Sequence, residues 1–552
     1  MQIKNDLITN SPGVDMKKLL LILLGVACAT SSPKQFEVWT YPYLKPMLKA
    51  ELSPAAAEKT IHLKVTPGEY EPAAFAVRPS QRVELSVSLA GGRQGKPLPD
   101  QWCEIHLVKS LADSTEPNRV HQIDGPVELP PESTAYFWIT VRPPEGTEAG
   151  IYSSRLLLES GNSEQGLEIS CEVLPFSLEE SPVTGGVFMN LIDLPPGWYK
   201  DMKDHGLDAI QFFTWERIVR DSTILRHRGD WDVEPIKITR RNDKMVLDFS
   251  SMDRIMDDLT ASGMKGPVVI SLGNDHFMHY ECRLAQVMGI PIDTTRSRRR
   301  QFWGPAVTPR LDSLFADGLR QMRDHWKEKN YPQELVVLIY DEPTHGLLER
   351  GRNRYRLLKQ VTPDIKVYGV VMDKRELAEQ VQDQCDIIVS NGDFDGVRQV
   401  ANKYGKGFYV YGSMGTANYA RFRMGCMPWR TKAEGAFFWM YNYWYYSPDR
   451  CAVYQHPDYP DKLVRSIQWE AVREGMDDLR YFATAEKLIQ QAPAGEKEAA
   501  QKRLDEVRNS IDPEYRYNPP KEKMQDEKAV LDYYLESQRV RDEVISIIME
   551  LI

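Results

Sequence analysis

The stretch "LVVLIYDEPTH" sets two carboxylates, Asp341 and Glu342, directly after the apolar run Leu335 to Tyr340 and directly before Pro343. Neighbouring carboxyl groups can divide proton work, because each makes ionisation of the other harder and their pKa values move apart. One then stays protonated as an acid while the other remains an anion. The pair could instead cap the helix that follows, a role worth about 0.5–2 kcal/mol. Pro343 and "THG" separate the pair from the helical pattern, and Glu is a poor cap, so acid/base chemistry is the preferred reading. Adjacent side chains on a strand point to opposite faces. Both acids can serve one site only if the strand stops before them. A second dense stretch is "GAFFWMYNYWYY", with eight aromatic residues in twelve. Phe437 and Phe438 read as core, whereas Trp439, Tyr441, Asn442 and Trp444 lie further along and are candidates for ligand contact.

Positioning these residues takes a scaffold, and the hydrophobic pattern supplies one. After Pro182, short apolar runs alternate with amphipathic stretches whose apolar residues recur every three or four positions. The runs are "GVFMNLI", "AIQFF", "GPVVISLG", "ELVVLIY", "IKVYGVV", "DIIVSNG", "GFYVYG" and "GAFFWMYNYW". Eight strands with helical crossovers predict a (β/α)8 barrel over residues 182–458. Continuous Val/Ile/Leu runs are what parallel strands covered on both faces require. Residues 34–181 instead alternate with period two and carry Gly and Pro at short intervals, which predicts a β-sandwich. Residues 459–552 read as helices packing on or extending from the barrel.

Barrel enzymes of this kind work at the C-terminal ends of their strands. The residues expected there are Asn190 and Asp193, Trp215 and Glu216, Asn274, Asp275 and His276, Asp341 and Glu342, Asp373, Asn391 and Asp393, then Tyr411 and Ser413, and the aromatic set of the last strand. Of these, Asn274, His276, Asn391, Tyr411, Trp439, Tyr441, Asn442 and Trp444 are the proposed substrate contacts. The set is rich in acids and aromatic rings. It holds no nucleophile elbow, no phosphate-cradling Gly loop and no metal-spaced His pair, so neither cofactor nor metal is expected. Acids with aromatics suit sugars, whose C–H faces pack on rings while their hydroxyls need carboxylate and amide partners.

Three segments in order, "YDEP", "YVYGSMGTANYARFRMGCMPWRTKAEGAFFWMYNYW" and "SIQWEAVREGMDDLRY", resemble glycoside hydrolase family 123 and its relatives across residues 180–485. The resemblance implies a β-N-acetylgalactosaminidase that acts with retention, using the substrate's own 2-acetamido group as nucleophile. It implies that Glu342 is the general acid/base and that Asp341 orients and polarises the acetamido group. Arg421, Glu470 and Glu474 match family positions and are read as structural ion pairs or caps. The residues give separate support. An ordinary retaining glycosidase needs a second carboxylate about 5–5.5 Å from the acid. By analogy with other barrel glycosidases it would follow the seventh strand, and "YVYGSMGT" contains none. Substrate assistance removes that requirement. Two alternatives stay open: a glycosidase for another sugar, such as an N-acetylglucosaminide or one without an acetamido group, and a non-catalytic glycan-binding surface lipoprotein.

The remaining features bound the setting. Lys17 and Lys18, the apolar "LLLILLGVA" and then Cys28 read as an export signal that resembles a bacterial lipoprotein leader within residues 1–33. Cys28 would carry the lipid, although Gly25 stands where that pattern has Leu, and a plainly cleaved signal is the alternative. The expected location is the periplasm or the cell surface, with membrane contact only through such an anchor. The other six Cys are scattered without CxxC spacing, which argues against a zinc site. A net charge of −10, from 69 basic and 79 acidic residues without a basic stripe, gives no support to a nucleic-acid partner. The expected partner is a glycan or oligosaccharide substrate.

Overall fold

The computed structural model describes residues 35–552 apart from 92–94, 111–116, 190–193, 214, 216–233, 274–277, 294–303, 344, 373, 414, 443–450 and 456–462. Its centre is a closed barrel of eight parallel strands. They are β1 (Thr184–Met189), β2 (Ala209–Phe213), β3 (Val268–Ser271), β4 (Leu335–Leu338), β5 (Lys366–Val371), β6 (Ile387–Ser390), β7 (Gly407–Ser413) and β8 (Gly435–Trp439). All eight fall on the predicted apolar runs, and β8 closes the ring by pairing with both β7 and β1.

Alternation along each strand separates two cores. Phe188, Val269, Leu338, Val370, Val389, Tyr409, Tyr411 and Phe437 fill the barrel interior. Their neighbours Val187, Ile270, Val337, Val371, Ile388, Val410 and Phe438 face outward into a larger core beneath the helices. The interior rings need room: a Cβ at Gly186 would run into Phe437, and one at Gly435 into Tyr409. Glycine at those two positions lets the aromatic side chains fill the barrel.

The helices used below are α1 (His279–Met288), α2 (Pro309–Lys329), α3 (His345–Val361), α4 (Ala417–Met424), α5 (Ile467–Gln491), α6 (Ala494–Ser510), α7 (Glu527–Tyr534) and α8 (Glu536–Leu551). The last four make the C-terminal region largely helical.

Residues before the barrel are mostly β. One sheet orders Phe36–Tyr41, Glu71–Pro79, Ala135–Val141, Cys103–Lys109 and Arg119–Gln122, and a second is built around the long hairpin Gly150–Ser160 and Ser163–Val173. The first sheet is buried on both faces. Phe137 and Ile139 join a cluster with Leu156, Leu158, Leu167 and Ile169 of the second sheet. Tyr136 and Trp138, between and beside them, belong to the outer core of the barrel. The second sheet keeps an alternating pattern, as in "TIHLKV", where every other residue is buried.

Contrary to the expectation of helices alone from residue 459, the chain first forms strand there. Val453–Gln455 and Leu463–Ser466 are strands, and Arg465 and Ser466 pair with Val120 and Arg119 of the N-terminal sheet. The chain thus returns to its first sheet after the barrel, before α5 begins. A three- to four-residue strand carries too few positions to display a period, so this segment did not stand out from the helical stretch around it. None of the six described cysteines forms a disulfide, and five are buried.

Candidate active site

Strand β4 ends at Leu338, which faces the barrel interior. Ile339 and Tyr340 both turn to the outer core. The Tyr340 hydroxyl donates to Glu281 Oε1 on α1 at 2.6 Å. Simple alternation would then send Glu342 outward with Tyr340. Instead Glu342 adopts a left-handed backbone, φ 45°, and its Oε1 accepts a hydrogen bond from the Tyr411 hydroxyl inside the barrel. A non-glycine residue in this region carries strain of order 1–3 kcal/mol, which persists only where the surroundings fix it. Pro343 contributes by disfavouring the right-handed helical conformation at Glu342. Asp341 donates its backbone N–H to the Gly273 carbonyl at 3.0 Å, tying the end of β4 to the end of β3.

The two acids share one neighbour. Burial pushes the Tyr411 phenol well above its ordinary pKa, and the negative charges of Glu342 and then Asp341 push it further. Tyr411 is therefore a neutral donor at any working pH, and both carboxylates are close enough to act on it. Asn391, at the end of β6, donates its Nδ2 to the Tyr411 oxygen at 2.9 Å. Behind it, buried Arg423 of α4 donates to the Asn391 carbonyl at 3.0 Å and also to the Tyr419 hydroxyl. A donor chain thus runs from α4 through Asn391 and Tyr411 to Glu342. Replacing Tyr411 by Phe removes its middle link and leaves Glu342 and Asn391 each one partner short. We expect kcat to fall about tenfold or more, from a loss of roughly 1–3 kcal/mol, with the far-ultraviolet spectrum unchanged.

Glu281 had no sequence signal beyond its place on a helix after β3, yet it holds the frame of the pair. It accepts from Tyr340, from Arg350 Nε at 3.3 Å and Arg350 Nη2, and from Arg354 Nη2 at 2.7 Å. Arg350 and Arg354 lie on α3, the helix that follows Asp341-Glu342. Glu281 therefore fastens the residue before the pair and the helix after it. Burial alone would raise its carboxyl, but Arg354 and Arg350 hold it down to about 2. Glu281→Ala takes the counter-charge from Arg350 and leaves Arg354 with Asp312 alone, at 2.5 Å, a change that costs about 3 kcal/mol. A thermal melt should show that loss. The wild-type contribution is present above the ordinary carboxylate range and fades as pH falls toward 2.

The other proposed contacts divide. Asn391 and Tyr411 lie with Glu342, and Trp439 ends β8 against the interior cluster. Tyr441 does not line the mouth. It is fully buried in the outer core, edge-on to Trp469 of α5, and its hydroxyl donates toward the Trp198 carbonyl and Asp201. Asn442 beside it is also buried, 1% exposed, so neither is open to a substrate. Two successive residues, Trp439 and Met440, pack on the interior, and this break in alternation turns Tyr441 outward. Trp215 packs on Tyr280 and donates to the Ile236 carbonyl, a structural role. Asp393 caps the helix Phe394–Lys403 by accepting from Gly396 N–H at 3.2 Å. Asn190, Asp193, Glu216, Asn274, Asp275, His276, Asp373, Trp444 and Cys28 lie outside the described residues. No group of three or more metal-ligating side chains occurs among the described residues.

Comparison with known proteins gives the family and the fold. The model of the glycoside hydrolase 123 catalytic domain matches residues 197–485, just over half of the chain. Among solved structures, a family 123 glycoside hydrolase from Clostridium perfringens, studied for glycolipid glycan hydrolysis, superposes with a TM-score of 0.69 at 13% identity, covering 93% of this chain and 99% of that one. An endo-β-1,4-mannanase from Thermotoga petrophila aligns at a TM-score of 0.35 and 12% identity over 55% of this chain and 77% of its own. No curated protein sequence matches. The matched domain, on a closed parallel barrel, defines the class of protein as a glycoside hydrolase. The chain belongs to glycoside hydrolase family 123.

Proposed function

We propose that the protein releases terminal β-linked N-acetylgalactosamine from glycans with retention of configuration, through attack by the substrate's own acetamido oxygen. The observation that carries this reading is the shared environment of Asp341 and Glu342 around Tyr411, together with the lack of any acid from Gly407 to Thr416 along and just beyond β7. One acid is available as proton donor and one as an anion, and the usual position of an enzymic nucleophile is empty of carboxylate. In the first step Glu342 gives its proton to the glycosidic oxygen as that bond breaks. The acetamido carbonyl oxygen bonds to C1, and Asp341 stabilises the positive charge that develops at the amide N–H. In the second step Glu342 takes a proton from water, which opens the oxazoline at C1 on the original face.

The test is a substrate panel. Aryl β-N-acetylgalactosaminide should be cleaved, the N-acetylglucosaminide more slowly, and the 2-hydroxy analogue hardly at all. A thiazoline that mimics the oxazoline should inhibit competitively. Comparable hydrolysis of the 2-hydroxy sugar would overturn substrate assistance.

Two finer readings accompany this one. The N-terminal sheets are read as one β-sandwich, since Phe137 and Ile139 share a cluster with Leu156 and Leu158. The leader is read as directing export, with a lipid on Cys28 holding the enzyme at the cell surface or in the periplasm. Palmitate labelling lost in Cys28→Ala would support the anchor, and labelling unchanged in that variant would sink it.

A further inference from the structure

The turn-rich segment between α6 and α7 reaches the barrel. Tyr517 lies there, beyond the residues matched by the family's catalytic-domain model. Its hydroxyl sits 3.3 Å from Ser413 Oγ, at the last residue of β7. Its backbone carbonyl accepts from Thr416 Oγ1 at 3.3 Å and from Asn418 Nδ2 at 3.4 Å. Its ring lies 4.3 Å from that of Tyr419, and a Cβ on Gly415 would collide with it. Five residues, from the end of β7 through the turn into α4, thus pack on one tyrosine from a distant part of the chain. Despite those contacts, Tyr517 remains 39% exposed.

Its location gives the exposure meaning. Tyr409 and Tyr411 face the barrel interior, so Ser413 continues that row at the rim. Tyr411 bonds to Glu342. Tyr517 therefore stands one step outward from the residue that holds the proton donor. In an enzyme that removes a terminal sugar, that sugar lies deepest and the leaving portion of the glycan extends outward past the acid. An amphipathic ring fixed at such a rim offers a face to sugar C–H groups and a hydroxyl to their oxygens.

We infer that Tyr517 forms the binding site for the first sugar on the leaving-group side, so that the C-terminal extension sets the preference for glycan over simple aglycones. This rests on the glycosidase reading above. The experiment compares kcat and KM for β-N-acetylgalactosaminyl fluoride, whose one-atom leaving group cannot reach the rim, and for the same sugar β-linked to lactose. Tyr517→Ala should raise KM for the oligosaccharide about 3- to 10-fold and leave the fluoride within a factor of two. Tyr517→Leu keeps apolar bulk against Gly415 and Tyr419 and should behave as Ala does, which guards against a folding artefact. Tyr517→Phe retains the ring and most of the affinity. Equal losses on both substrates, or none on either, would overturn the inference while the glycosidase reading stood. A wild-type enzyme that cleaved neither compound would overturn both.

Discussion

Glu342→Gln should lower kcat on an aryl β-N-acetylgalactosaminide by about 10²–10⁴-fold, the usual contribution of a positioned general acid or base. Gln keeps the acceptor for the Tyr411 hydroxyl but has no proton to give or take, so the fold and the donor chain from Asn391 should survive. The loss should depend on the leaving group. An activated phenol departs without help, and its release step should suffer less than that of an alkyl or sugar aglycone. In Glu342→Ala, azide can enter the vacated space and replace water at C1, since an anion needs no base. The expected product is the β-glycosyl azide, and its appearance together with a regained rate would identify Glu342 as the acid/base. Asp341→Asn should lower turnover to a comparable extent without azide rescue, because it removes the anion beside the acetamido N–H and leaves the proton donor in place. Near-native turnover in Glu342→Gln would remove the assignment altogether. Rescue of Asp341→Ala in place of Glu342→Ala would exchange the two roles.

The strands that carry this site were readable because parallel strands covered on both faces cannot hide their composition. "LVVLIY" and "DIIVS" leave little room for another reading. The acid pair was readable because it interrupts such a run. The sequence left open how Glu342 could reach the barrel interior, and the answer lies in backbone geometry. Ile339 and Tyr340 both turn outward and Glu342 is left-handed, features that no periodicity encodes. Parity also misled at β8, where Trp439 and Met440 both pack inside and Tyr441 is thereby lost to the outer core. Glu281 and Tyr517 were invisible for a different reason. Each matters through partners dozens of residues away, Arg350 and Arg354 for one and Ser413 for the other, and a single sequence carries no record of such pairings. The expectation that Arg421, Glu470 and Glu474 serve structure agrees with their contacts. Arg421 makes a bidentate pair with Asp478 at 2.9 Å, Glu470 pairs with Arg473, and Glu474 accepts from Arg541 at 2.9 Å.

The same region gives the largest expected effect on stability, from Arg541→Met. Arg541 of α8 is 1% exposed and meets four carboxylates. It donates to Asp478, to Glu71 at 2.9 Å and to Glu474 at 2.9 Å, and lies 3.5 Å from Glu69. Glu69 and Glu71 belong to the N-terminal segment, Glu474 and Asp478 to α5, so one guanidinium joins three parts of the chain. Arg421 supplies the only other positive charge directly bonded to this group among the described residues. Four carboxylates around two guanidiniums are out of balance, and some must keep their protons. Burial raises Glu71 well above the ordinary range, with the charge of Glu474 adding to it, and burial likewise raises Glu474 to about 8. Removing Arg541 withdraws the charge that makes the rest tolerable, at about 3–5 kcal/mol for a broken buried pair. Thermal and urea unfolding should both record it. The wild type should show the matching pH dependence. A carboxyl raised on folding stabilises fully below its unfolded pKa near 4.5, and the contribution is lost as pH rises through about 8. Buried His106, whose pKa burial lowers, works in the opposite direction near pH 6.5, so the informative quantity is the difference between wild type and Glu474→Gln. Gln cannot ionise, and the variant should gain on the wild type by roughly 1–3 kcal/mol between pH 5 and pH 9. A difference that stayed flat over that range would mean that Glu474 is ionised throughout and that Arg541 and Arg421 balance the cluster.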